Sequence, residues 1–519
     1  MLLDKIFSQN NRLRVLYPLL FVVGVFIWQG MTGLNLRDEG YLWYGAKAML
    51  AGDVTFRDYS GYDPGRYLLS AAVMMLMGDT GILPVRLAAM LCQLVAIGIL
   101  MHRIIHAGMI RTVRDELFAV ALLCLLCLWM FPRHKIFDNS TSLLLVALLS
   151  WFASAGTERR ALLVGIGIGL VAIMGRNHGV YGLVAIGLVL PVVLSRDFSR
   201  MRTLRIIGAG LLGVVIGILP LLCIEFAKPG FIGAFVDSVL FLTEIKTTNA
   251  ALPVPWPWLV PFDGATSQIL QRLSIGIWFV AVLLGGWAAY IYAVSVYIRT
   301  KQTPGLLLAS SSLAVVYTHV AFSRADAAHL AQSIAPLLVA LVCISWTLRA
   351  YVRTGLIAAL LVLSVTSIGP QHPGVQCVVS MQCQPVTIAG SVLLVPKSSA
   401  TEVQFFQRVH AALIGDGDGG LIVPFWPGAY ALLDMRAPVW EIYPTWPRTP
   451  EFERTEIARL QARRITYVIW SDAPMDGNDA LRYSQTHPLL TAYISAGYED
   501  VPALSTQTFR VLKVKATQP

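Results

Sequence analysis

Apolar runs too long for the core of a soluble domain recur along this chain, and they decide its class. Runs near 14–32, 83–105, 205–224, 270–297 and 327–348 reach the length of about 20 residues that crosses a bilayer as helix. Shorter apolar partners lie near 116–131, 138–155, 161–175, 178–194, 304–322 and 353–369. About eleven spans are therefore expected, in a mainly α, polytopic membrane helix bundle. Only 13% of the residues are charged, against about 25% in soluble domains. The first run follows Lys5, Arg12 and Arg14 in the layout of a signal peptide. Its apolar core is too long and no small-residue cleavage site follows, so it reads as an uncleaved anchor.

Loop charges orient the bundle. If the N-terminus is cytoplasmic, alternate short loops hold Arg103, Arg111 and Arg114, then Arg159 and Arg160, then Arg196, Arg200, Arg202 and Arg205, then Arg299 and Lys301, then Arg349 and Arg353. That is the positive-inside pattern, and it accounts for much of the net charge of +10. No basic cluster of the nucleic-acid-binding kind stands out. An odd number of spans puts the tail outside, as expected for a multi-pass plasma (inner) membrane protein with a periplasmic or extracellular C-terminal domain. There, in "VQCVVSMQCQP", a disulfide between Cys377 and Cys383 is expected. The other cysteines sit in apolar runs and read as small core residues.

The chain divides into a membrane domain, 1–369, with outer loops 33–82 and 225–268, and an extracytoplasmic domain, 370–519. In the first loop, Leu42, Ala46, Met49 and Leu50 fall at helical spacing, which predicts an amphipathic helix on the membrane surface. "PGRYLLSAAVMMLMG" predicts a second helix too short to cross. The second loop carries "LPVPWPWLVPF", either a lid or an interfacial girdle. In the tail, "VTIAGSVLLVP", "TEVQFFQRVHAALIG", "GLIVPF", "EFERTEIARLQARR" and "ITYVIWSD" alternate strand-like and helix-like patterns, which predicts a small α/β domain. Its aromatic stretch "PFWPGAYALLDMRAPVWEIYPTWP" is either a carbohydrate surface or buried core.

Ionisable residues at membrane depth are expensive and by default suggest function. With this topology they gather on the outer side: Asp38 and Glu39; Arg66; Arg133, His134, Lys135 and Asp138; Arg176 and His178; Arg324, Asp326 and His329. Each also has a plain reading. Asp38 and Asp138 cap helices starting near Gly40 and at Asn139 or Ser140; Arg66, Arg133 and Lys135 snorkel; Arg324 and Asp326 pair; the histidines are satisfied core groups. Together they suit transfer of a sugar from a lipid phosphate carrier, with a carboxylate as general base and cations on the leaving phosphate. A divalent metal (Mg, Mn or Zn) on Asp38, Glu39 and Asp138 is an option. The alternative is a glycolipid transporter or flippase, disfavoured because most of the apolar cores lack charge.

The run "RDEGYLWYGAKAMLAGDVTFRDYSGYDPGRYLL" resembles the first outer loop of the GT-C fold integral membrane glycosyltransferases, which include the protein O-mannosyltransferases and the lipid A aminoarabinose transferases. Asp38 and Glu39 match the acidic pair after the first span, and Tyr62 to Gly65 the Y-x-P-G turn, with Asp63 where many relatives have a second proline. The resemblance implies Asp38 as general base, with Glu39 beside it and Asp138, in "FDNSTSLL", in the same site. It also implies phosphate-binding cations in "GRNHG" (Arg176, His178) and at Arg324 and His329. Arg66 and Lys135 are added to that set as nearby cations. The donor implied is a polyprenyl-phosphate-linked sugar, transferred with inversion to a hydroxyl on a glycan, lipid or protein. Residues 38, 138, 176 and 324 are expected around a single pocket.

Overall fold

A computed structural model describes residues 11–417 and 419–515. Lys5 lies outside the described residues, as does the side chain of Arg12. Each of the eleven apolar runs is helical. Among the described residues, eight helices are long and apolar enough to cross a membrane: Ile82–His106, Arg133–Ala155, Arg176–Leu194, Arg200–Ala227, Thr266–Thr300, Gly305–Ser323, Ala327–Ser345 and Ala350–Gln371. The other three, Asn11–Gln29, Val113–Trp129 and Glu158–Met174, have 19, 17 and 17 residues and carry charge or a proline. The protein is thus a mainly helical polytopic membrane bundle with a small β-containing C-terminal domain.

By its contacts the chain forms two compact units. The first comprises Met1–Gly30, Arg86–Ile232 and Val236–Gln376, and holds the bundle. Within it the helix Gly305–Ser323 packs against Ile136–Ala155, Arg176–Leu194, Thr266–Thr300 and Ala327–Ser345. The hydroxyls of Ser310, Ser311 and Ser312 on that helix are buried, and each donates back to a carbonyl three or four residues earlier, so no polar atom there faces hydrocarbon unpaired. Glu158–Met174 and Arg200–Ile218 cross so closely that a Cβ on Gly213 would stand 2.1 Å from the Leu162 carbonyl oxygen. Small residues let membrane helices meet backbone to backbone.

The second unit comprises Met31–Val85, Gly233–Phe235 and Cys377–Pro519. Residues 31–85, which include the first outer loop, thus fall in one compact unit with the tail. Its helix Asp38–Leu50 is buried almost all round, through Leu42, Trp43, Tyr44, Ala46 and Ala48. It does not show the single apolar face expected of a surface helix, because Pro64–Met77 covers one side and Pro427–Leu432 another. The tail opens with a disulfide, Cys377–Cys383, and the hairpin β1 (Cys383–Ile388) and β2 (Ser391–Pro396). A four-stranded sheet follows, built from β3 (Gly419–Val423), β4 (Ile465–Trp470), β5 (Tyr498–Asp500) and β6 (Arg510–Val514) in the spatial order β3-β4-β6-β5. Only the β3–β4 pair is parallel. All five residues of β3 are buried, as a strand covered on both faces requires.

Candidate active site

In the bundle, polar side chains collect where three helices begin. A single 3-10 turn, Arg133–Lys135, leads into Ile136–Ala155. Asp138 therefore lies inside the first turn rather than capping a helix that starts at Asn139 or Ser140. Its buried carboxylate turns sideways instead, accepting from His178 Nε2 at 2.7 Å. A carboxylate there also complements the positive end of the helix dipole. His178 stands in the first turn of Arg176–Leu194, and its Nδ1 meets the Tyr317 hydroxyl at 2.5 Å. Beside this line, the Tyr181 hydroxyl is 2.9 Å from His319 Nδ1, with the Tyr181 and Tyr317 rings 5.0 Å apart.

The third beginning is Ala327–Ser345, capped by Asp326, whose Oδ1 accepts from the His329 amide and faces His329 Nδ1, both at 2.8 Å. Arg324 Nε donates to Asp326 Oδ2 at 2.7 Å, and Arg324 Nη1 to the Ala250 carbonyl at 3.1 Å. Burial pushes the Asp326 carboxyl up, but the bonds from His329 and the Arg324 guanidinium outweigh it and hold the group well below the usual carboxylate range. The turn Arg133–Lys135 packs on this helix, which brings Lys135 within electrostatic reach of His329. Arg176 Nη1 donates to Ser238 Oγ at 2.6 Å. The bundle so brings together Asp138 with His178, and Arg324, His329 and Lys135 with Asp326.

Asp38, Glu39 and Arg66 belong to the second unit. Asp38 does not have to cap its helix, because Asn35 Oδ1 accepts from the amides of Arg37 and Asp38, at 2.8 and 3.0 Å. Its side chain is half-exposed, whereas Glu39 is buried. Among the described residues, no three His, Cys, Asp or Glu side chains group to hold a metal. Around Asp38, Tyr41 meets Tyr62 at 4.9 Å and Tyr443 at 5.5 Å, and Phe425 meets Tyr443 at 5.2 Å. Buried Arg66 stands 5.0 Å over the Tyr62 ring. The Tyr443 hydroxyl donates to Asp38 Oδ1 at 3.4 Å.

Sequence reasoning passed over Tyr317, His319 and Tyr443. The first two had a signal, since "VYTHV" places two polar rings inside an apolar run. Tyr443 had none, because only the folded tail brings it to residue 38.

No protein-family model matches the chain, and no curated protein matches it. Solved structures do. ArnT from Cupriavidus metallidurans bound to undecaprenyl phosphate aligns over 96% of this chain and 97% of its own, with a TM-score of 0.54 and 14% identity. The chain has the GT-C fold. ArnT in the apo state aligns over 95% and 97%, with a TM-score of 0.48 and 14% identity. The archaeal oligosaccharyltransferase AglB from Archaeoglobus fulgidus, in complex with an inhibitory peptide and a dolichol-phosphate, aligns over 98% of this chain and 74% of its own, with a TM-score of 0.45 and 10% identity.

Proposed function

We propose that this GT-C protein moves a sugar from a polyprenyl-phosphate donor to a hydroxyl of a glycan, lipid or protein at the non-cytoplasmic face of the membrane. The three shorter helices would complete eleven spans, and the basic short loops would face the cytoplasm. The observation that carries the reading is Asp38: a half-exposed carboxylate on the first turn of its helix, relieved of capping by Asn35. The shared fold with a structure that binds undecaprenyl phosphate supports the donor class.

Asp38 takes the proton of the attacking hydroxyl as its oxygen bonds to the anomeric carbon. The bond from that carbon to the phosphate oxygen breaks on the opposite side, and the phosphate leaves with the electron pair, so configuration inverts. Arg176, Lys135, Arg324 and His329 supply cationic hydrogen-bond donors for the phosphate, with Arg66 and His178 as further candidates. Asp138 orients His178. Glu39 is a buried acidic neighbour of the base. A divalent metal, if bound, would be held by Asp38, Glu39 and Asp138 and would supply Lewis-acid neutralisation of the phosphate.

The test is a transfer assay on detergent-purified protein, with undecaprenyl-phosphate-linked hexoses and pentoses and a cell-envelope acceptor fraction. Release of undecaprenyl phosphate together with a glycosylated acceptor is the expected result. Donor movement across proteoliposomes without either product would favour the flippase instead.

A further inference from the structure

We propose that the C-terminal domain supplies a positioning residue to this site: Tyr443, whose hydroxyl holds one oxygen of Asp38 so that the other meets the incoming hydroxyl. This rests on the reading of Asp38 as general base. The phenol is the donor, since a carboxylate only accepts, and the separation from Oδ1 is 3.4 Å.

What distinguishes Tyr443 from a passing surface ring is how its backbone is held. Just before it, the amides of Trp440 and Glu441 both donate to Glu456 Oε2, at 2.7 and 3.1 Å. From the other side the first loop grips the same residues. Trp440 Nε1 donates to the Phe56 carbonyl at 2.8 Å, the Ser60 amide to the Trp440 carbonyl at 2.8 Å, and the Ile442 amide to Ser60 Oγ at 3.1 Å. The ring itself is set between Tyr41 and Phe425.

A buried ionic cluster lies at the root of this strap. Glu441 Oε1 accepts from Arg448 Nε and Nη2, at 2.8 and 2.6 Å, and Oε2 meets His487 Nε2 at 2.9 Å. Apolar side chains of similar volume often serve stability as well as such a cluster, whose best-attested use is to fix one arrangement. Here the arrangement fixed is the approach of Tyr443 to Asp38. Sites held to a few tenths of an ångström need such supporting residues, and a misplaced base loses rate rather than affinity.

Tyr443→Phe, made in the full chain, keeps the ring and deletes the hydroxyl. With the undecaprenyl-phosphate-linked sugar that the wild type consumes, kcat is expected to fall about tenfold, the size of one hydrogen bond to a charged group. The donor KM should stay within about twofold, and thermal unfolding should match the wild type. Tyr443→Phe with wild-type kcat beside an inactive Asp38→Asn overturns this inference alone, as does a loss confined to KM. Asp38→Asn that turns over normally overturns the underlying reading of the base instead.

Discussion

Gly40 and Gly428 meet backbone to backbone: a Cβ on Gly40 would stand 2.5 Å from the Gly428 Cα, and the Gly428 amide donates to the Leu36 carbonyl at 2.9 Å. The helix that begins with Asp38 is thereby seated on the tail helix Pro427–Leu432. Gly40→Ala cannot be absorbed by a side-chain rotation, because the obstacle is backbone. It is expected to destabilise the protein by about 1–3 kcal/mol and to lower transfer by shifting Asp38, measured by thermal unfolding in detergent and by turnover of the soluble fraction.

His178 joins the first turns of two bundle helices and the Tyr317 hydroxyl of a third. His178→Ala would leave the Asp138 carboxylate and a phenol buried without this partner. A loss of about 3 kcal/mol is expected, read as a lower unfolding temperature. A variant as stable as wild type would show that the Asp138–His178 line is dispensable for the bundle.

Arg324 is already engaged by Asp326 and the Ala250 carbonyl, so its charge arrives at the helix end in a fixed place. Arg324→Ala and Arg176→Ala are each expected to weaken undecaprenyl phosphate binding by about tenfold, measured by quenching of intrinsic tryptophan fluorescence. Arg324→Lys, which keeps the charge but loses the fork, should fall between. Unchanged affinity in either alanine variant would remove that residue from the phosphate-binding set.

The tail carries a pH signature. Burial raises the Glu441 carboxyl, but the His487 bond and the Arg448 guanidinium outweigh it, and the net direction is below the ordinary value. A depressed folded value means stability that is present in full above the unfolded pKa, about 4.3, and lost as the pH falls through the lower folded value. Glu456, raised chiefly by burial, works in the opposite sense and masks part of this in the whole protein. The difference in stability between wild type and Glu441→Gln reports the effect, together with the smaller relief of Glu456 from the Glu441 charge. It should be largest near neutrality and close as the pH falls below about 4, followed by hydrogen exchange in the tail of the intact chain.

The helices were legible because about 20 consecutive apolar residues leave a chain few alternatives, and Arg176 and Asp138 stood out because charge at membrane depth needs a reason. Four strands of the tail were legible from their β-branched runs. Arg510–Val514 and the short edge strand Tyr498–Asp500 were not; the three residues of the edge strand show no period. Nor was the docking of residues 31–85 onto residues 377–519, which depends on matched surfaces such as Gly40 on Gly428 rather than on any local pattern. The aromatic stretch from 425 to 446 illustrates the difference. Composition alone left carbohydrate surface and core open, whereas in the structure Trp426, Tyr430, Val439 and Ile442 are buried while Phe425 and Tyr443 stay half-exposed beside Asp38.

Asp38→Asn tests with the least change of shape whether the Asp38 carboxylate accepts the proton of the attacking hydroxyl. Turnover of an undecaprenyl-phosphate-linked donor by the purified variant is the measurement, with unfolding temperature and undecaprenyl phosphate affinity as controls. A loss of at least about a hundredfold in kcat, the scale of general-base catalysis, is expected with both controls unchanged. Turnover near the wild-type rate would contradict that role for Asp38.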